Sequence, residues 1–125
     1  MKPFLLIATT LLMFRISNAQ SELDLTNKTF QQVDKVPSTS ELFFSSKNEV
    51  VFIITNVING KTYIDKCPGK STVTGNKISI TCFCEDKELY PDPITDSFNY
   101  DSKSKTLIST RYRSTDGIFF VWNLK

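Results

Sequence analysis

The chain has 125 residues, of which the first 19 are typical of an export signal, and residues 20–125 contain no Ala, Met or His. Alanine is the best helix former, so its absence argues against a mainly helical fold. The absence of histidine excludes Ser-His and Cys-His nucleophilic pairs and His-containing zinc sites. Lys2 and Arg15 account for the whole net charge of +2, and a neutral mature domain has no electrostatic reason to bind nucleic acid.

The N-terminal segment has the order of features found in signal peptides. Lys2 precedes an apolar stretch from Phe4 to Phe14, and Ser17-Asn18-Ala19 places small residues at the two positions that determine cleavage. The apolar run is too short to span a bilayer as a helix, and a retained membrane anchor is the alternative interpretation. We therefore expect cleavage after Ala19, export to the periplasm or the secreted space, and one domain over residues 20–125.

The rest of the chain alternates short β-branched or aromatic runs with turn signals. Asn59-Gly60, Gly75-Asn76 and Asp116-Gly117 are typical of tight hairpin turns, because their residues tolerate positive φ. Hairpins at such regular intervals predict an all-β fold, an antiparallel up-and-down meander of about seven to nine short strands. We expect it to close into a small barrel or a partly open one, and a β-sandwich is the alternative. The predicted strands are Lys28–Val33, Glu41–Phe44, Glu49–Ile58, Lys61–Asp65, Ser71–Thr74, Lys77–Cys84, Ser97–Tyr100, Thr106–Tyr112 and Ile118–Leu124.

Three cysteines, Cys67, Cys82 and Cys84, form an odd set for an exported chain. Counting outward from a two-residue Gly75-Asn76 turn places Cys67 directly opposite Cys84, in a non-hydrogen-bonded pair whose side chains approach closely enough for a disulfide. Cys82 then faces Gly69 as a buried free thiol. A thiolate metal site or a redox pair is the alternative, but three thiolates without histidine make a poor zinc site and an oxidising compartment favours the disulfide.

The last hairpin gathers cationic and aromatic side chains. With Asp116-Gly117 as its turn, Arg113 faces Phe120 and Arg111 faces Trp122 on one side of the sheet. If this side is the outer surface, the arginine stems cover the rings and make cation–π contacts. If it lines the barrel, the guanidiniums hold the head of an anionic amphiphile and the rings line its tail. Arg111, Arg113, Phe120 and Trp122 are therefore the candidate ligand-binding residues.

Two other features carry weaker functional signals. The segment from Glu85 to Asp96, interpreted as a loop, contains carboxylates such as Glu88 and Asp92 that could serve a hydrolase or bind calcium. It lacks the spacing of a calcium loop, and a solvated charged loop explains it. Asn27-Lys28-Thr29 is a glycosylation sequon that is used only in a eukaryotic secretory route. No metal site and no cofactor is predicted.

Two stretches of the chain carry a resemblance to a family. Gly69 to Ile80, and Phe98-Asn99-Tyr100-Asp101 through Thr106-Leu107, following an export signal that ends Asn-Ala-Gln, resemble small exported lipocalin-like (calycin or META-type) barrel domains of Bacteroidetes-type bacteria. The likeness covers most of Leu42 to Leu124. The lipocalin Gly-x-Trp signature near the first strand is missing, and the single tryptophan, Trp122, stands near the end of the chain. The resemblance implies binding of apolar ligands or of other proteins.

The function expected from these features is that of an exported, non-enzymatic β-barrel binding module. Its ligand is expected to be a small apolar or anionic amphiphilic molecule, with no nucleic acid bound and no membrane span after signal cleavage. A protein-interaction or enzyme-inhibitor module of the cell envelope or secreted space is the alternative, with the apolar segment Ile118 to Leu124 as its surface patch. A hydrolase that uses Glu85, Glu88 and Asp92 is the third hypothesis.

Overall fold

The computed structural model describes residues 23–32, 38–113, 117 and 119–125. The predicted leader, residues 1–19, lies outside the described residues, as do the predicted strand ends Val33 and Ile118 and the turn residue Asp116. Eight strands lie within the described ranges: β1 (Lys28–Gln32), β2 (Ser38–Phe44), β3 (Glu49–Ile58), β4 (Lys61–Thr74), β5 (Lys77–Cys82), β6 (Ile94–Asp101), β7 (Thr106–Arg113) and β8 (Phe119–Leu124).

These strands form a closed antiparallel barrel. Each strand pairs with the next along the chain, and β1 also pairs with β8. The predicted all-β, up-and-down meander is therefore confirmed, and it is a barrel rather than a sandwich. The ladder that closes the barrel is short, since β1 and β8 are paired from Phe30–Leu124 to Gln32–Trp122.

Strand β4 unites two segments that were expected as separate strands, Lys61–Asp65 and Ser71–Thr74. Pro68 lies between them and has no N–H, yet the β3–β4 ladder runs past it, with Pro68 opposite Val51. The reason is the direction of its backbone polar groups. The Pro68 carbonyl accepts the Phe83 N–H at 2.9 Å, on the side away from β3, so the missing N–H removes no bond to β3.

The β4–β5 hairpin has the register predicted from Gly75-Asn76, with Gly69 opposite Cys82. The two backbones approach so closely here that only glycine fits at position 69. A Cβ atom on Gly69 would overlap the carbonyl oxygen of Thr81 and would lie 2.6 Å from the Cα atom of Cys82. Both obstacles are backbone atoms, which cannot rotate away, so Gly69 is needed for β4 to pair with β5.

The disulfide predicted between Cys67 and Cys84 is present, with the two Cα atoms 4.1 Å apart. Cys82 is buried and free, as expected. Burial raises the pKa of the Cys82 thiol to about 11, although a hydrogen bond from the Phe52 backbone acts in the opposite direction. The thiol is therefore protonated at neutral pH and behaves as a small apolar side chain.

The core fills the barrel through the period-two alternation of its strands. In β5, for example, Ile78, Ile80 and Cys82 are buried while Lys77 and Ser79 are exposed. The Phe30 ring of β1 meets the rings of Phe44 on β2 and Tyr100 on β6 edge-to-face. Among the described residues, the buried apolar side chains are Leu25, Phe30, Leu42, Phe44, Val50, Cys67, Ile78, Ile80, Cys82, Cys84, Phe98, Leu107 and Trp122.

Candidate functional site

A cavity of about 160 Å³ lies at the end of the barrel where β1 ends and β8 begins. Aromatic and aliphatic side chains form most of its wall, and two polar side chains complete it. Its apolar lining consists of Phe52, Ile94, Tyr112, Phe120 and Trp122, and its polar lining consists of Gln32 and Asp96.

Strand register brings these side chains to the same inner surface. Trp122 on β8 lies opposite Gln32 on one side and opposite Leu107 on the other. Phe52 on β3 lies opposite the buried Cys67. Because directly opposed residues of antiparallel strands point to the same face, Gln32, Phe52 and Trp122 face the interior, whereas Tyr112 is 42% exposed.

The indole of Trp122 is the centre of the apolar wall and is only 3% exposed. Its ring meets the Phe52 ring edge-to-face, with centroids 5.6 Å apart and planes at 73°, and it meets Phe98 in the same way at 6.0 Å and 81°. Such pairs add about 0.5–1.5 kcal/mol each beyond the area that they bury. The wall is therefore held by packing before any ligand binds.

The indole N–H of Trp122 is buried and has no acceptor among the residues that the structure describes. A buried donor without a partner costs about 1–3 kcal/mol of folding free energy. An ordered water or an acceptor atom of a ligand would recover that cost. Trp122 thus presents an unused hydrogen-bond donor in a residue that lines the cavity.

Asp96 places a carboxyl group in the same wall and is 7% exposed. Its Oδ1 accepts hydrogen bonds from the Ser109 hydroxyl at 2.9 Å and from the Ser97 N–H at 2.7 Å. Burial raises the pKa of the Asp96 carboxyl, against the opposing effects of Ser109, Ser97 and the charge of Arg111. Both of these hydrogen bonds go to Oδ1, so Oδ2 is the oxygen that a donor on a ligand would meet.

The four predicted ligand-binding residues divide between two environments. Phe120 and Trp122 line the cavity together. The side chain of Arg111 is exposed, donates from its guanidinium to the Thr95 hydroxyl, and lies 5.4 Å from the centre of the Tyr112 ring. The side chain of Arg113 lies outside the described residues. Arg111 is therefore exposed beside the cavity wall, and its cation–π contact is with Tyr112 rather than with the expected rings of Phe120 and Trp122.

The predicted register of the last hairpin is wrong. Trp122 pairs with Leu107 rather than with Arg111, and Arg113 pairs with Phe119 rather than with Phe120. The register shifts between Ile108 and Arg113, where β7 has more residues than β8.

The side chain of Ser109 provides the hydrogen-bond acceptor for two backbone N–H groups of this irregular segment. Ser109 is fully buried, and its Oγ accepts the N–H groups of Arg111 at 3.3 Å and of Tyr112 at 3.0 Å. A side chain thus takes over backbone bonds that a regular ladder would have made. The same hydroxyl donates to Asp96, so the bulge and the polar wall of the cavity share one residue.

Sequence reasoning missed five lining residues, of which Asp96 matters most. The sequence predicts a loop that ends at Asp96, whereas β6 already begins at Ile94. The missed signal is the alternation Ile94, Asp96, Phe98, Tyr100, whose members are buried or half-buried while Asn99 is exposed. The other four residues are Gln32, Phe52, Ile94 and Tyr112.

The remaining candidate features have local structural roles. Asp86, in the acidic loop, accepts hydrogen bonds from the N–H groups of Glu88 and Leu89 at 3.0 and 3.1 Å and so stabilises a turn.

Asn27, the first residue of the sequon, is exposed at φ 65°, just before β1. In the expected patch of β8, Trp122 is buried and Val121 and Leu124 are half-buried, while Ile118 lies outside the described residues. Within residues 23–32, 38–113, 117 and 119–125, no three His, Cys, Asp or Glu side chains are grouped to hold a metal ion.

No helix in the described ranges is long and apolar enough to cross a membrane. Comparisons of the chain with protein-family models, with curated proteins and with solved structures found no match.

Proposed function

We propose that the chain is an exported, non-enzymatic binding module whose cavity holds one small amphiphile. The observation that carries this proposal is the combination, in one cavity, of an aromatic wall with the Trp122 N–H, which has no acceptor among the described residues, and the Asp96 carboxyl group. Ligand sites in proteins have this composition, a mainly apolar lining with a few placed polar groups.

The size of the cavity limits the ligand. A dry apolar cavity of about 150 Å³ holds one benzene molecule. The cavity beside Trp122 has about the same volume, so its ligand is a single ring or a short aliphatic chain.

The polar wall selects the head group. A buried carboxylate repels an anion and attracts a cation or a hydrogen-bond donor, because charges interact strongly where water is scarce. An amine or a hydroxyl can donate to Asp96, and a hydroxyl oxygen can also accept from Trp122. We therefore propose a cationic or neutral head in place of the anionic one expected from Arg111 and Arg113.

Two further points support the proposal. Lipocalins use eight-stranded up-and-down barrels to hold one small ligand, an analogy of fold alone. The Cys67–Cys84 disulfide is typical of proteins that fold in an oxidising compartment, which favours export.

Trp122 provides the test, because it is the single tryptophan of the chain and lines the cavity. Phenethyl alcohol, phenethylamine and phenylacetate share one ring and one chain length and differ in the head group. We expect the alcohol and the amine to change tryptophan fluorescence saturably, and phenylacetate to bind about tenfold more weakly or less. Asp96→Asn should reduce the preference for the amine over phenylacetate. Tyr63→Ala, an exposed aromatic residue outside the lining, is the matched control.

The proposal fails if none of the three compounds gives a saturable change and native mass spectrometry of protein from its own host shows no bound mass. Tighter binding of phenylacetate than of the amine would refute the role given to Asp96.

A further inference from the structure

Strand β4 has a backbone edge that no described strand covers. It pairs with β3 from Lys61 to Lys70, but with β5 only from Gly69 to Thr74. Between Lys61 and Lys66 the only described strand paired with it is β3, because β5 ends at Cys82.

The direction of the backbone groups along this edge follows from Pro68. Its carbonyl points away from β3 to the Phe83 N–H, and successive residues of an antiparallel strand point their N–H and C=O to alternate sides. The N–H and C=O groups of Thr62, Ile64 and Lys66 therefore point outward, away from β3. Such a row of groups is a template for another strand.

Space for another strand exists beside this edge. A cleft of about 400 Å³ is lined by Ile64, Asp65, Lys66 and Glu85. Tyr63 and Ile64, near the start of β4, are 49% and 58% exposed, and Val57 and Ile58 on β3 are 48% and 55% exposed, so exposed apolar side chains are grouped here. Neither Lys61 nor Asp65 has an ion-pair partner among the described residues.

We propose that a second copy of this chain pairs with the β4 edge, antiparallel, around a two-fold axis through Tyr63. Only residues whose N–H and C=O groups point away from β3 can hydrogen-bond the second copy, so these residues must lie opposite their equivalents. This is possible when the two-fold axis passes through a residue, and not when it passes between two residues. With the axis at Tyr63, Lys61 of each copy lies opposite Asp65 of the other, and Thr62 lies opposite Ile64.

Charge selects this register over its neighbours. An axis at Asp65 would place two carboxylates directly opposite each other, and an axis at Ile64 would leave Asp65 opposite Tyr63. The axis at Tyr63 gives two opposite-charge pairs, which lie on the same face of the sheet as Tyr63. Opposite charges across a strand pair are stabilising, whereas like charges are destabilising. The proposal is independent of the cavity and its ligand.

The test is a charge swap followed by sedimentation velocity over a range of concentrations. The wild-type chain should form a dimer. Lys61→Asp and Asp65→Lys should each raise the dimer Kd by about tenfold or more, because each variant places like charges opposite each other at both contacts. An equimolar mixture of the two variants should recover dimers, because each contact then joins opposite charges again. Lys77→Asp makes the same charge change as Lys61→Asp at an exposed position of β5, away from this edge, and should remain dimeric.

Ile64→Pro removes an outward N–H at a position in phase with Pro68, so it should abolish the dimer while circular dichroism shows the fold retained. A wild-type chain that stays monomeric at millimolar concentration overturns the proposal and makes another partner the occupant. It is also overturned if Lys77→Asp is as disruptive as Lys61→Asp, or if the variant mixture stays monomeric.

Discussion

Breaking the Cys67–Cys84 disulfide should cost the protein a large part of its stability. The bridge closes a loop between residues 17 positions apart. In the chain-entropy account, cross-linking a loop of this length removes enough freedom from the unfolded chain to stabilise the native state by about 3 kcal/mol. For a domain of this size, that loss corresponds to a fall in Tm of about 12–24 °C.

Urea unfolding of Cys82→Ala, with and without a reductant, measures this contribution. Cys82 is the free buried thiol, and its removal from both samples prevents disulfide exchange and leaves only Cys67 and Cys84 to compare. A triple variant that also carries Cys67→Ala and Cys84→Ala is the control, and the reductant should not change its stability. A difference in unfolding free energy below about 1 kcal/mol between the oxidised and reduced samples would refute the explanation that the bridge stabilises the fold by restricting the unfolded chain.

Two substitutions test the polar wall of the cavity and the β4–β5 contact. Burial raises the pKa of Asp96 above its ordinary value of 3.8, so the unfolded chain releases this proton first and the folded state loses stability as pH rises through the folded-state pKa. In urea unfolding, the stability of Asp96→Asn relative to wild type should therefore increase as pH rises from about 3 to about 7. A difference in unfolding free energy that does not depend on pH would contradict this. Gly69→Ala should cost about 3 kcal/mol or more, because its Cβ would overlap the backbone of Thr81. Gly75→Ala, strained only by its φ of 62°, should cost about 1–2 kcal/mol, and equal losses of Tm would contradict the steric explanation.

Local turn chemistry made most of the fold predictable. Asn59 and Gly60 both have positive φ, at 52° and 77°, and the hairpin that they predict sets the β3–β4 register. The Gly75-Asn76 turn likewise sets the β4–β5 register, which places Cys67 within reach of Cys84. Where a two-residue turn fixes the register, each later pair along the hairpin follows from counting.

The candidate site was less predictable, because side chains and not turns determine it. The Ser109 hydroxyl accepts hydrogen bonds from the backbone N–H groups of Arg111 and Tyr112 and so stabilises the bulge. Because of this bulge, Arg111 does not lie opposite Trp122. No residue pattern distinguishes this serine from an exposed one. Asp96 follows a segment with two prolines and many charges, which indicates a loop, and its hydroxyl partner Ser109 lies on the neighbouring strand, far away in sequence.

The short β1–β8 ladder has a kinetic consequence for the cavity. Local opening of a folded protein begins where the fewest hydrogen bonds must break, and among the described pairings this ladder is the shortest. Its last pair, Gln32 and Trp122, consists of two residues that line the cavity. Amide protons of β1 should therefore exchange faster than those of the β3–β4 ladder, and a bound ligand should slow them. The ladder that closes the barrel would then also be the gate through which a ligand enters and leaves. The rate of ligand release would be limited by the breaking of a few backbone hydrogen bonds between β1 and β8.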